Sequence, residues 1–420
     1  MVFSTRSKAT IEGVQLSLSH DSKIPRSLNI EHLRAFAILM VLALHFTWLH
    51  VALPEILWGA WSGVDLFFAI SGYVIAASLS RTLTPPSNDA TFRTRLTLNK
   101  NAIWAFFVRR LLRIYPPLLA TLALAATITA VLGVTKWKDL SVEIIAALSM
   151  SYNFVIYRGG PFLLDPLWSL AVEMQFYLMI PFFLIAFHTD RQRLSAAVVV
   201  FLVVGVIIRP SHIWTLSGVS DTDWLAMRFS TPFRLDTLAA GVGVFVLSHN
   251  RRLMQGVHDL SPITIRAFAF FCLSIMLLIP SATPIEFSHN VGFSILALAA
   301  AGLVLLAVGS RVTLIPVPPV DLLLRYLGQR SFSLYLVHRL SGAAFAVLFP
   351  HVISNASMMN GTGSTARLIQ GVSVTALTLA TAELMYRFVE KPSIEAGRRY
   401  GEHSASNSDA GAIRTAQSIS

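Results

Sequence analysis

Two residues at the start of the first long apolar stretch have the types and spacing for acid–base chemistry on a charged substrate. Arg34 and His45 are eleven residues apart, close to three turns of an α-helix, so they share one helix face. At about 1.5 Å of rise per residue, His45 lies roughly 16 Å deeper than Arg34. One stripe therefore joins a group suited to anions to an imidazole whose ordinary pKa is near neutrality, the range a general base needs. The plainer reading of His45 is a hydrogen-bonding partner for a neighbouring helix. The cost of holding an ionisable side chain within an apolar span favours function.

Further polar residues sit where apolar sequence surrounds them. Glu173 follows Pro166-Leu167-Trp168-Ser169-Leu170-Ala171-Val172, one to two turns into a span, and needs a partner there. His45 or Arg234 is expected to provide it, and such a carboxylate would orient the imidazole and favour its charged form. Packing glue is the equal alternative. Asp65, in Gly63-Val64-Asp65-Leu66-Phe67-Phe68, either positions a polar acceptor or serves structure, while Gly63, Ser71 and Gly72 permit close helix approach. Trp168 is expected as an interfacial anchor rather than a substrate platform.

Basic residues form one tight cluster, Arg109-Arg110-Leu111-Leu112-Arg113, with Pro116-Pro117 just beyond. Arg109 and Arg113 share a helical face, and guanidinium clusters recognise phosphates well, although topological anchoring is the commoner use. Arg234 and Asp236 are expected to form an ion pair, local or between helices. His338-Arg339 either contacts an anionic group or satisfies backbone carbonyls. Glu383 pairs with Arg387 one turn on. Cys272, among Phe270, Phe271 and Leu273, is inert.

The elements that position these groups follow from composition. Of 420 residues, 54% are hydrophobic and 13% charged, against about 25% charged in a soluble domain. The mean hydropathy of +0.63 agrees. This is an all-α polytopic membrane protein. Ten apolar runs approach the roughly 17 to 25 residues needed to cross a bilayer: Ala35–Leu53, Val64–Leu79, Leu111–Leu132, Leu167–Phe187, Leu194–Ile208, Phe233–Leu247, Thr264–Ile279, Val291–Gly309, Phe332–Leu348 and Leu368–Met385. An eleventh stretch, Val142–Tyr157, carries Glu143, Tyr152 and Asn153 and is read as non-spanning. With both termini cytoplasmic, Lys and Arg then collect on the inner side. Only Lys136, Lys138, Arg158, Arg209 and Arg228 fall outside. Letting 142–157 cross would put Arg191, Arg251, Arg252, Arg311 and Arg325 outside.

The net charge of +11 is therefore a topological signal, and no nucleic acid is expected as a partner. Residues 1–28 and 393–420 read as flexible cytoplasmic tails around a transmembrane domain at 29–392. A cleaved signal peptide is not expected. One cysteine excludes a disulfide framework or a cysteine metal cluster, and no metal site is expected. Gly-x-Ser-x-Gly, His-Glu-x-x-His and phosphate-loop signatures are missing, and the missing phosphate loop argues against an ATP-driven pump.

Taken in order, these segments resemble the acyltransferase-3 family of bacterial membrane acyltransferases. The resemblance rests on Ile30-Glu31-His32-Leu33-Arg34-Ala35 with His45 at the family's spacing, Gly63 to Gly72, and Arg109-Arg110-Leu111-Leu112-Arg113-Ile114-Tyr115-Pro116. It continues through Pro166 to Glu173, Leu327-Gly328 to His338, and Val389-Glu390-Lys391-Pro392, covering about residues 26–395. His32 stands where glycine is common, Glu31 replaces a usual Asp, and Arg339 follows His338 where an aromatic is frequent.

The resemblance implies transfer of an acyl group, commonly acetyl, from cytoplasmic acyl-CoA to a hydroxyl of a cell-surface or secreted glycan or glycolipid. It implies an inner-membrane location, with lipid and acyl-CoA as partners and no bound cofactor. Arg34, His45 and Glu173 are the expected catalytic residues. Arg109, Arg110 and Arg113 are expected to bind the donor. Asp65, Trp168, Ser169 and His338 are acceptor-side or structural. No esterase-like domain is expected after the last span. A proton-coupled transporter or flippase is the alternative, because buried His, Glu and Asp also build proton relays. The acceptor and the oligomeric state are left open.

Overall fold

The computed structural model of the protein describes residues 28–46, 54–85, 90–156, 162–214, 220–349 and 363–402. Helices dominate, and no β-strand occurs among the described residues. Nine helices there are long and apolar enough to cross a membrane: Leu28–His45, Ile56–Ser80, Phe92–Leu132, Leu167–Ala186, Asp190–Ile213, Pro262–Ala282, Ile285–Gly309, Ser331–Leu348 and Ile369–Glu402. The remaining expected span is the shorter helix Leu235–Leu247, whose 13 residues are almost all buried. The protein is an all-α, multi-pass membrane protein. We label the principal helices α1 (Leu28–His45), α2 (Gly63–Ser80), α3 (Phe92–Leu132), α4 (Trp137–Leu148), α5 (Leu167–Ala186), α6 (Asp190–Leu202), α7 (Asp221–Phe229), α8 (Leu235–Leu247), α9 (Arg251–His258), α10 (Pro262–Ala282), α11 (Phe293–Gly309), α12 (Pro318–Gln329), α13 (Ser331–Leu348) and α14 (Gly363–Met385).

Helix α4, with its 12 residues, rises about 18 Å and cannot cross a hydrocarbon core of roughly 30 Å. It is followed by a 3-10 turn at Tyr152–Phe154, so the segment from 142 does not span, as its polar content predicts. Tyr157 lies outside the described residues. Buried Glu143 ties the end of this segment down: it accepts from Tyr152 Oη at 2.6 Å, Leu164 N at 2.6 Å and Leu163 N at 3.1 Å. Burial pushes its carboxyl above the usual range, against those three donors.

Several boundaries depart from the sequence reading. Helix α1 begins seven residues before Ala35, because Asn29, Glu31, His32 and Leu33 are themselves buried. Residues 47–53, the expected end of that span, lie outside the described residues, as do 1–27 and 403–420. Residues 393–402, expected as tail, continue the last helix beyond a π-turn at Tyr386–Glu390. Helix α3 runs through Pro116 and Pro117 for 41 residues in all. Thr121 Oγ1 donates to the Pro117 carbonyl at 2.8 Å, one turn back along the same helix.

Helix α2 is the hub, packed by α1, α8, α11 and α5. Its crossing with α8 is close enough that a Cβ on Gly72 would strike Leu238 O and one on Gly241 would strike Ala69 O. Ion pairs tie α8 to α2 and to the span Asp190–Ile213. Arg234, at the start of α8, donates to Asp65 on α2, and Arg209 donates to Asp236; all four side chains are essentially inaccessible. Of the two arrangements expected for Arg234 and Asp236, the one between helices holds: each pairs with a residue of another helix rather than with the other. Thr237 Oγ1 adds a donor to Asp65 at 3.3 Å, and Arg234 also lies 4.1 Å over the Phe293 ring. Buried His32 bridges α1 to α12 through Asp321, 2.8 Å away. Donors on Arg325 and His32 hold the Asp321 carboxyl below its usual range. Val206, Ile263, Phe270 and Phe388 leave apolar surface exposed on the peripheral helices, as lipid contact requires.

Candidate active site

Two cavities meet at one tyrosine. The first, of about 870 Å³, is lined by Arg34 of α1, Ser71 of α2, Arg110 and Arg113 of α3, and Glu173 and Tyr177 of α5. The second, of about 570 Å³, is lined by His45 of α1, Asp165, Trp168 of α5, and Arg228 and Phe229 of α7. Tyr335 of α13 faces both. Its hydroxyl donates to Pro166 O at 2.8 Å. A phenol has one proton, so Ser169 Oγ, 2.7 Å away, donates to the Tyr335 oxygen. Ser169 and Tyr335 thus form a hydrogen-bonded partition.

The first cavity is lined by three guanidinium groups against one carboxylate, a charge balance suited to anions. Arg110 is stacked on Phe106 and Tyr177, at 5.4 and 5.6 Å from the ring centres, so its plane is fixed. Arg34 lies 4.0 Å from Glu31, a loose pairing that leaves most of its donors to the cavity. The expected basic triad is split. Arg110 and Arg113, three residues apart, face the cavity, whereas Arg109, one residue before Arg110, is turned about 100° away and packs against Gly397 and Gly401.

Glu173 also differs from expectation in its partners. Its Oε1 accepts from Ser71 Oγ at 2.6 Å and from Tyr177 Oη. Arg234 is engaged by Asp65, and His45 lies in the other cavity, so neither is the partner of this carboxylate. The reason is depth: Arg34 and Glu173 sit at one level of the bundle and His45 and Trp168 at another.

The group beside His45 is a second imidazole. His338 Nε2 is 3.3 Å from His45 Nδ1, with ring centres 4.8 Å apart. His45 Nδ1 is also 2.8 Å from Val41 O, and His338 Nδ1 is 2.8 Å from Tyr335 O. A carbonyl oxygen only accepts, so both Nδ1 atoms carry the proton. The His45 lone pair is therefore on Nε2, and its Nδ1–H is shared between Val41 O and His338 Nε2. That is the tautomer of a base held from behind. His338 does satisfy a backbone carbonyl, and it contacts His45 as well.

Four residues of the site were not singled out by sequence. Asp165 accepts from Arg339 Nε at 2.9 Å. Burial pushes its carboxyl up to about 6, with Arg339 opposing. Arg339, in the place of a frequent aromatic, thus carries an ion pair. Arg228, which sequence places only among outer basic residues, lies 4.7 Å over Trp61; burial and then Arg234 lower it to about 10. Tyr335 and Tyr177 stand inside segments read for other residues. Trp168 is buried rather than interfacial, packed edge-on against Phe68 at 6.0 Å and tilted against Phe229 at 4.9 Å. Asp65 lines neither cavity and serves structure.

A family model described as an acyltransferase domain matches residues 27–387. The chain belongs to the acyltransferase-3 family. Among curated proteins of this kind, the chain is 28% identical over 402 residues to the "Putative peptidoglycan O-acetyltransferase YrhL" of Bacillus subtilis, covering 89% of this chain and 55% of that protein. It is 26% identical over 392 residues to the peptidoglycan O-acetyltransferase OatA of Listeria monocytogenes, covering 87% and 55%. The chain spans about half the length of these acyltransferase-3 relatives. No solved structure matches it.

Proposed function

We propose that the protein is a membrane O-acetyltransferase, moving an acetyl group from acyl-CoA to a hydroxyl of a glycan. The observation that carries this reading is the pairing of an anion-binding cavity with a base-bearing cavity at Tyr335. Coenzyme A phosphates engage Arg110, Arg113 and Arg34, and the pantetheine arm reaches toward the Ser169–Tyr335 partition. The acceptor hydroxyl enters the second cavity beside His45.

His45 Nε2 removes the hydroxyl proton as that oxygen attacks the thioester carbonyl. As the imidazole becomes charged, His338 Nε2 and Val41 O accept from its Nδ1–H and stabilise the cation. Arg228 is the cation of the same cavity and faces the oxyanion of the tetrahedral intermediate. Collapse of the intermediate breaks the carbon–sulfur bond, and the leaving thiolate takes the proton back from His45. Glu173 holds Ser71 and Tyr177 in the donor cavity rather than orienting the base.

The relatives' names point to peptidoglycan as one acceptor class. The bias of Lys and Arg supports a donor cavity open to the cytoplasm of a bacterial inner membrane. The test is reconstitution: proteoliposomes given acetyl-CoA and glycan fragments should release free coenzyme A and form an acetyl ester detectable by mass spectrometry. A transporter or flippase would release none.

A further inference from the structure

A third cavity, of about 550 Å³, lies at the end of the bundle where α2 finishes, α3 begins, and α5 passes into α6. It is lined by Thr84, Arg95, Asn99, His188 and Arg193, among others. Arg95 is 9% exposed, and its Nε has no hydrogen-bond partner. Among the described residues its side-chain hydrogen bond is Nη1 donating to His188 Nδ1 at 2.6 Å. No carboxylate among the described residues pairs with Arg95. A buried guanidinium without a counter-charge is costly, which marks the cavity as built for an anion.

The neighbours are committed elsewhere and frame the site. Arg193 donates to Phe187 O at 2.8 Å and Leu184 O at 3.3 Å and faces Asp190 at 3.8 Å. Asp190 is also 2.9 Å from His249. Asn99 accepts from Thr84 N at 2.7 Å and donates to Arg95 O at 2.9 Å. Arg95 and Arg113 are eighteen residues apart on α3, five turns and roughly 27 Å, so they share a stripe. Buried Phe106 lies between them on that stripe. The two basic cavities are separate.

We propose that Arg95, with His188 behind it, binds a phosphate group at this third cavity, carried by a phospholipid headgroup or by a soluble phosphate compound. The test uses the full chain in nanodiscs, with thermal melting as the readout. Phosphatidylglycerol replacing neutral lipid reads the headgroup. Inorganic phosphate and 3′,5′-ADP, added over neutral lipid, read the soluble source. At least one probe should raise the melting temperature of the wild type, and Arg95→Gln should abolish that shift. Arg95→Lys keeps the charge but loses the planar fork, and should weaken binding about tenfold or more; it also serves if the glutamine variant fails to fold. A 3′,5′-ADP shift that survives Arg95→Gln and disappears in Arg113→Gln belongs to the first cavity and overturns the proposal. So does a wild type that responds to no probe.

Discussion

The buried pair between Asp65 and Arg234 permits a quantitative test of what holds the bundle together. Asp65 is 0% exposed and Arg234 1%, with Arg234 packed over Phe293. Replacing Arg234 with Met keeps most of that packing but strands the carboxylate in the interior, a loss of about 3–5 kcal/mol for a broken buried pair. Asp65→Asn strands the guanidinium at a similar cost. Replacing both together removes both charges, so most of the loss should return and the coupling should approach the sum of the two single losses, about 6–10 kcal/mol. For a chain of this size a kcal/mol is worth roughly 2 °C, so each single variant should melt about 6–10 °C lower and the double variant near the wild type. Fluorescence-detected size-exclusion melting in detergent measures all four proteins. Losses that add, with the double variant worst, would refute the crosswise pairing.

Three further outcomes concern the cavities. Arg113→Gln removes a charge-assisted contact worth about 1.5–3 kcal/mol and should raise the KM for acetyl-CoA roughly 10- to 100-fold, with kcat less affected. His338→Ala removes the acceptor behind His45 and should lower kcat roughly 10- to 100-fold with KM for acetyl-CoA unchanged; an unchanged kcat would show that the second imidazole is packing alone. Asp165 has its folded pKa raised to about 6 from 3.8, so the folded state holds the extra proton. Its contribution is full below about 4 and is lost as pH rises through about 6, and melting temperature plotted against pH should show that fall in the wild type and lose it in Asp165→Asn.

Much of the fold was legible because lipid imposes simple rules: apolar length marks spans, and Lys and Arg mark one side. The non-spanning segment was legible for the same reason, since Glu143, Tyr152 and Asn153 need polar partners. What the sequence hid were choices between partners of equal chemistry. Arg234 precedes Asp236 by two residues yet pairs with Asp65 on another helix. Glu173 finds hydroxyls on Ser71 and Tyr177, whose side chains give no periodic signal. Which of three arginines faces a cavity depends on the rotation of α3, and only Arg110 and Arg113 do. Asp165 and Arg228, far apart in sequence, reach the cavity of His45 only through packing.

The most direct measurement is release of coenzyme A from acetyl-CoA by proteoliposomes carrying either wild type or His45→Ala, with glycan acceptor present and equal melting temperatures verified first. Acceptor-dependent release by the wild type that falls at least 100-fold in His45→Ala is the expected result. Undiminished release and ester formation by His45→Ala would contradict the assignment of His45 Nε2 as the base.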